Sequence, residues 1–223
     1  MELITYADSE LMMIEVASRL AGELRQALQS SETASLAVPG GTTPGPIFDS
    51  LCGADLDWDR VAVLLTDERW VPEDSPRSNT RLLRQRLLTG KAAVARYLPL
   101  YAPADTPEEG IPQLAEAISG VLPLTACLLG MGADMHTASI FPGADRLSEA
   151  LAGDAILVPM RAPGAPEPRV TLSAPVLAGA ISRHIVITGP EKREALERAR
   201  TLPPEEAPVA AVLKGATIHW AES

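Results

Sequence analysis

Apolar positions along the chain follow two alternating rhythms. Short, mostly apolar runs such as Ala34-Ser35-Leu36-Ala37-Val38, Val61-Ala62-Val63-Leu64-Leu65 and Ala126-Cys127-Leu128-Leu129 alternate with stretches of helical spacing. A near-continuous apolar run suits a strand buried on both faces, whereas recurrence every three to four residues marks one face of a helix. Strands are therefore predicted at Leu3 to Ala7, at the three runs above, at Tyr97 to Tyr101, and at His184 to Thr188 and Thr217 to Trp220. Ile156 to Met160 and Arg169 to Leu172 read as two more, in a region after residue 143 where the pattern weakens.

The first predicted helix starts at Asp8 or Ser9, either able to cap it, and carries Met13, Ala17, Leu20, Leu24 and Leu28 along one side. Further helices are expected at Pro44 to Leu51, Thr80 to Leu88, Glu108 to Val121, Ala174 to Ala180 and Glu191 to Arg200. Three prolines and a glycine between Ala162 and Pro168 mark a loop. This alternation predicts an α/β fold over residues 1–223 as one domain: a mostly parallel twisted sheet with helices on both faces, Rossmann-like in type. Ligands of such sheets bind outside the carboxyl ends of the strands, so the turns that follow strands are where chemistry is expected.

Composition narrows the partners. A net charge of −10 argues against nucleic acid, which clustered Lys and Arg would have to hold, but a single phosphate needs only a few local donors. No apolar stretch approaches the roughly 20 residues of a membrane span, and no signal peptide is apparent at Met1-Glu2-Leu3-Ile4-Thr5. Cys52 and Cys127 form no CxxC pair, so a reducing cytoplasm is expected, with Cys127 a small core hydrophobe. Nothing in the pattern bears on oligomeric state.

Four turns carry unusual residues. Gly40-Gly41-Thr42-Thr43-Pro44 follows a strand and opens a helix, which describes both a plain tight turn and an anion site. Asp67-Glu68-Arg69 follows a fully apolar strand, where ionisable groups must pair or bind something; Arg69 or Arg77 can pair with Asp67, or Arg77 can grip a phosphate. Gly130-Met131-Gly132-Ala133-Asp134-Met135-His136 delivers a histidine able to take a proton near neutral pH, with Asp134 either orienting it or capping the turn. Gly189-Pro190-Glu191-Lys192 puts a cation in a first helical turn, against the macrodipole, a conflict that a bound anion or plain solvent exposure relieves. Arg169, after the proline-rich loop, can join Lys192 on the same phosphate. His184 and His219 lie in strands and read as structural. No HxxxH, HxH or DxDxD pattern suggests a metal, and GxGxxG, the P-loop and GxSxG are all absent.

These turns, in this order, resemble the 6-phosphogluconolactonase family. The resemblance rests on Gly40 to Pro44, Asp67-Glu68-Arg69 with Val71-Pro72, Arg77-Ser78-Asn79, Gly130-Met131-Gly132, Asp134-Met135-His136 through Gly143, Arg169 to Leu172, and Gly189 with Lys192. It implies hydrolysis of a sugar-phosphate lactone without cofactor or metal, with His136, Asp134 and Asp67 in the catalytic centre. Gly40, Gly41, Thr42, Arg77, Arg169 and Lys192 then hold the phosphorylated substrate. The fold is shared with glucosamine-6-phosphate deaminases, whose related turn continues into an Asn-Glu-Pro segment; Phe141-Pro142-Gly143 stands here with no acid. A deaminase-like enzyme using Asp67 as carbon-acid base, and a non-catalytic sugar-phosphate sensor, are the competing readings. Two positions depart from the lactonase pattern. Met135 replaces a glycine, and so is strained if that position requires positive φ; Pro39 removes one N–H donor from the phosphate turn.

Overall fold

The computed structural model describes Met1–Ser223, and in it the apolar runs become strands. In chain order these are β1 (Glu2–Tyr6), β2 (Ala34–Val38), β3 (Val61–Leu65), β4 (Asp67–Arg69) and β5 (Arg96–Leu98). They continue with β6 (Ala126–Gly130), β7 (Leu157–Met160), β8 (Arg169–Leu172), β9 (Ser182–Thr188) and β10 (Thr217–Ala221). The helices are α1 (Ser9–Ser30), α2 (Gly45–Leu51), α3 (Asn79–Arg86), α4 (Pro107–Ser119), α5 (Leu147–Ala152), α6 (Ala174–Ala178), α7 (Pro190–Ala199) and α8 (Ala210–Leu213). No helix is long and apolar enough to cross a membrane.

Seven strands form one sheet in the order β1-β10-β9-β6-β2-β3-β5, and every pairing within it is parallel. Every residue of β2 and of β3 is buried, as parallel strands covered on both faces must be. Asp8 caps α1 by accepting from the Leu11 amide at 2.8 Å, and the helix buries Met13, Ala17, Leu20, Leu24 and Leu28 as its spacing predicts. Cys127 is fully buried, and burial pushes its thiol up to about 12.

The strand order sets where a ligand can bind. From β2 the chain winds outward through β3 to β5, then returns to the other side of β2 as β6 and winds through β9. The carboxyl ends of β2 and β6 therefore diverge into opposite connections, and that divergence opens a crevice. The turns after Val38 and Gly130 flank it directly.

The second sheet departs from the sequence expectation. Asp67 to Arg69, read as part of a turn, is a strand that pairs antiparallel with β8, which in turn pairs with β7. The chain leaves the parallel sheet at Thr66, whose amide still bonds Val38 and whose carbonyl already accepts from Leu172, both at 2.9 Å. Helices α5 and α8 were also absent from the sequence expectation, and Tyr97 to Tyr101 shortens to the strand Arg96–Leu98.

His184 and His219 have the structural place expected of them, in a buried relay. The Tyr6 hydroxyl lies 2.8 Å from His219 Nδ1, His219 Nε2 lies 2.9 Å from His184 Nδ1, and His184 Nε2 lies 3.0 Å from the Glu23 carboxylate. These contacts give each of the four ring nitrogens a polar partner. Burial pushes His219 down to about 3, and the neighbouring His184 and Arg19 add to the effect. Between pH 6.5 and about 3 the unfolded chain binds a proton at this position that the folded chain refuses. Stability should therefore rise with pH across that window and fall on acidification. Urea denaturation at several pH values checks this: His219→Gln should flatten the acid-side fall, and an unchanged slope would assign it to other groups.

Candidate active site

A cleft of about 250 Å³ lies over the carboxyl ends of β2, β3, β6 and β9. Each of these strands feeds it with its following turn, and β8 adds Arg169 from the second sheet.

The turn after β2 brings backbone. Gly41 has φ +83°, the left-handed region that glycine enters freely. A Cβ on Gly40 would fall 2.0 Å from the Asn79 side chain, so only glycine lets this turn lie against α3. The amides of Gly40, Gly41, Thr42 and Thr43 donate to no backbone carbonyl and remain available to an anion. Thr43 lines the cleft, whereas Thr42 is exposed outside its lining. Pro39 lines it as well and brings no donor.

The turn after β6 brings the histidine. His136 Nδ1 lies 2.5 Å from Asp134 Oδ1, which also accepts from the His136 amide at 3.2 Å. With Nδ1–H given to the carboxylate, Nε2 is the basic nitrogen left free. Gly132 makes room for the pair: a Cβ there would sit 2.2 Å from His136 Nδ1 and 2.5 Å from Asp134 Oδ1. Met135 has φ 66°, so the methionine occupies a left-handed position at a cost of about 1–2 kcal/mol. The loop tolerates it through two bonds, from the Met135 amide to Gly132 at 2.9 Å and from the Val209 amide to the Met135 carbonyl at 3.0 Å.

The turn after β3 sorts its three ionisable residues by strand alternation, which sends Asp67 and Arg69 to one face and Glu68 to the other. Glu68 is buried and its carboxylate accepts from the amides of Arg69, Asn79 and Thr80 and from the hydroxyls of Ser78 and Thr80, at 2.7–3.0 Å. Burial raises its pKa, and the amide and hydroxyl donors oppose the rise. Asp67 and Arg69 line the cleft. Asp67 is held by hydroxyls: Ser139 donates at 2.6 Å and Thr66 at 3.2 Å. The ion pair that the sequence suggested for Asp67 with Arg69 or Arg77 is not formed.

Arg69 and Arg169 stand directly opposite each other across the β4–β8 pair. Like charges in that register repel, and the Nε of each is buried with no hydrogen-bond partner. Burial lowers the pKa of Arg169, Asp67 opposes the shift, and Arg69 reinforces it. The two guanidinium groups, each with an unpartnered buried Nε, line the cleft together with Lys192, a cluster of cations of the kind that suits an anion. Arg77, one of several phosphate ligands that the sequence offered, is placed elsewhere: it pairs with Glu167 at 2.8 Å, half-exposed and outside the cleft lining. Its carbonyl instead accepts from Arg69 Nη1 at 2.6 Å, which fixes the arginine that does face the cleft.

Residues 7–220 match the family described as glucosamine-6-phosphate isomerases/6-phosphogluconolactonase. The chain belongs to this family. Its relatives include a 6-phosphogluconolactonase of Mesorhizobium japonicum, 41% identical, with 97% of this chain and 93% of the relative covered. That of Rhizobium meliloti is 42% identical, covering 96% and 94%. Among solved structures, the 6-phosphogluconolactonase of Shewanella baltica superposes with a TM-score of 0.95 at 32% identity, over 99% of this chain and 97% of that one. A monomeric glucosamine-6-phosphate deaminase shares the fold, with a TM-score of 0.83 at 17% identity over 99% and 97%.

Within this family member, the sequence reading missed Arg69, Asn79 and Ser139 as parts of the site. Strand alternation was the available signal for Arg69, because Asp67 and Arg69 share a face; the Ser139–Asp67 contact spans 72 positions and has no local signature. Inorganic phosphate is expected to occupy the arginine pair and stabilise the fold by roughly 2.7 kcal/mol at a hundredfold excess over Kd, which raises the thermal midpoint. Thermal-shift titration should show the response lost in Arg169→Ala and kept in Arg77→Ala. The reverse order would move the anion to the rim.

Proposed function

We propose that the chain hydrolyses 6-phospho-D-glucono-1,5-lactone to 6-phospho-D-gluconate, in the cytoplasm, with His136 as the base. The observation that carries the reading is the placement of His136, held by Asp134, in one cleft with Arg69, Arg169 and Lys192. A substrate joining a phosphate to an electrophilic carbonyl across one sugar ring fits that arrangement. The cleft lies near the lower end of the usual ligand range, roughly 300–1,000 Å³, and suits a monosaccharide phosphate better than a dinucleotide. Free thiols at Cys52 and Cys127 agree with a reducing compartment.

In this reading the phosphate rests on Arg169, Lys192 and Arg69, with the Gly40 and Gly41 amides at its edge. His136 Nε2 takes a proton from water as the water oxygen bonds to the lactone carbonyl carbon. Asp134 steadies the imidazolium that results. The tetrahedral oxyanion draws on donors of the glycine turns. It then collapses, the bond from the carbonyl carbon to the ring oxygen breaks, and His136 returns its proton to that oxygen. The acid formed loses a proton to solvent. One base worth about 10²–10⁴ in rate suffices with positioning, since a δ-lactone is already an activated ester.

The deaminase alternative needs Asp67 free as a carbon-acid base. Its carboxylate is instead engaged by the Ser139 and Thr66 hydroxyls, and Phe141-Pro142-Gly143 brings no acid.

Steady-state hydrolysis of freshly made lactone, corrected for its spontaneous opening, tests the role of His136. His136→Ala should lower kcat by about 10²–10⁴ with phosphate affinity kept, and retained turnover would assign the base elsewhere. Gly132→Ala should cost about 10² in kcat by displacing the imidazole, with KM nearly unchanged. An equally active Gly132→Ala enzyme would show that the Asp134–His136 geometry is not needed.

A further inference from the structure

Phe141 does not line the cleft, yet it touches two groups that do. Its ring centroid lies 4.5 Å from that of His136, with the planes inclined at 38°. The Arg169 guanidinium carbon lies 5.4 Å from the same centroid. One aromatic ring thus meets the imidazole from the β6 turn and the cation from β8, elements that belong to different sheets.

The chain holds that ring firmly. Ala138 turns through φ 49° and Gly143 through φ 73°, so the backbone reverses on either side of it. Between them the Ile140 amide bonds the Thr137 carbonyl at 3.0 Å, and the Ala144 amide bonds the Phe141 carbonyl at 3.2 Å. Ile140 and Ser139 are fully buried, and the Ser139 amide donates to Thr171 Oγ1 on β8 at 3.3 Å. The loop carrying Phe141 is therefore pinned to the strand that carries Arg169.

The chemistry of the pair asks for an aromatic residue. Arg169 has a buried, unpartnered Nε and a like charge directly across from it. The negative face of a ring is an attractive surface for such a cation and cannot be protonated. The imidazole gains a tilted aromatic contact in addition to the Asp134 bond at Nδ1. An acid in this place would compete for the proton that His136 handles; a phenyl ring does not.

We infer that Phe141 is a positioning residue, its ring fixing the His136 imidazole relative to the Arg169 guanidinium so that base and anion anchor serve a single substrate. This rests on the lactonase reading for its rate effect, and on geometry alone for its effect on anion binding. Phe141→Leu keeps an apolar side chain and removes the ring, whereas Phe141→Tyr keeps the ring. Lactone hydrolysis and inorganic phosphate affinity are measured for wild type and both variants, with thermal midpoints confirming that each is folded. Phe141→Leu should lower kcat about 10-fold, as a small misplacement of the base does, and weaken phosphate binding several-fold. Phe141→Tyr should stay within about twofold of wild type in both, as a ring-dependent contact requires. A Phe141→Leu enzyme that keeps either the wild-type kcat or the wild-type phosphate affinity would overturn the inference, as would a tyrosine variant no better than leucine. A wild type that binds phosphate but does not open the lactone would overturn the functional reading, and this inference with it.

Discussion

The site depends on where the Glu68 carboxylate is satisfied. A buried carboxylate is tolerable only with its lone pairs filled, and the donors that fill them come from β4 and from the start of α3. That requirement ties the strand leaving β3 to the N-terminus of a helix, where partial positive charge favours an anion. Because side chains alternate along a strand, turning Glu68 toward α3 turns Asp67 and Arg69 toward the cleft. It also seats Asn79, whose side chain bonds the Asp67 carbonyl at 3.1 Å and fills the space that a Cβ on Gly40 would need. One buried group thus sets the wall of the site and the approach of the turn after β2.

The opposite wall is set by steric permission. Gly132 leaves the volume in which Asp134 and His136 meet, and Met135 accepts a left-handed backbone to bring them round. Strain of this kind persists where surrounding structure over-determines it, here through the bonds to Gly132 and Val209. On the wall set by Glu68, Arg69 faces the like charge of Arg169, a repulsion that a bound anion would relieve. A reactive lactone carrying a phosphate needs little more than this: an anchor at one end, and at the other a base with its tautomer fixed.

Much of this was legible in the sequence, for stated reasons. The parallel sheet followed from runs too apolar to face water, as in Val61 to Leu65, and the cleft followed from strand–turn–helix order. Lys192 stood out because a cation in a first helical turn opposes the macrodipole, and His136 because a buried strand runs straight into the glycine-punctuated loop that carries it. The left-handed backbone at Met135 meets the condition that the family resemblance set, since a glycine is usual at that position. Two strands of the second sheet, β7 and β8, were legible, but the third was not, because the three residues Asp67–Arg69 are too short to display a period. Reading those residues as a turn hid Arg69 as a cleft residue, and Arg77, offered by the sequence among several phosphate ligands, pairs instead with Glu167, 90 positions away. Helices of six and four residues, α5 and α8, are equally too short for a 3.6-residue rhythm to register.

The central claim is that this cleft opens a phosphorylated lactone rather than deaminating a phosphorylated amino sugar. The most direct measurement follows both reactions in one wild-type preparation: acid release from freshly generated 6-phosphogluconolactone and ammonia release from glucosamine 6-phosphate. The account predicts lactone opening far above the spontaneous rate with no ammonia. Ammonia release without any acceleration of lactone opening would contradict it, and would make Asp67 rather than His136 the base of this site.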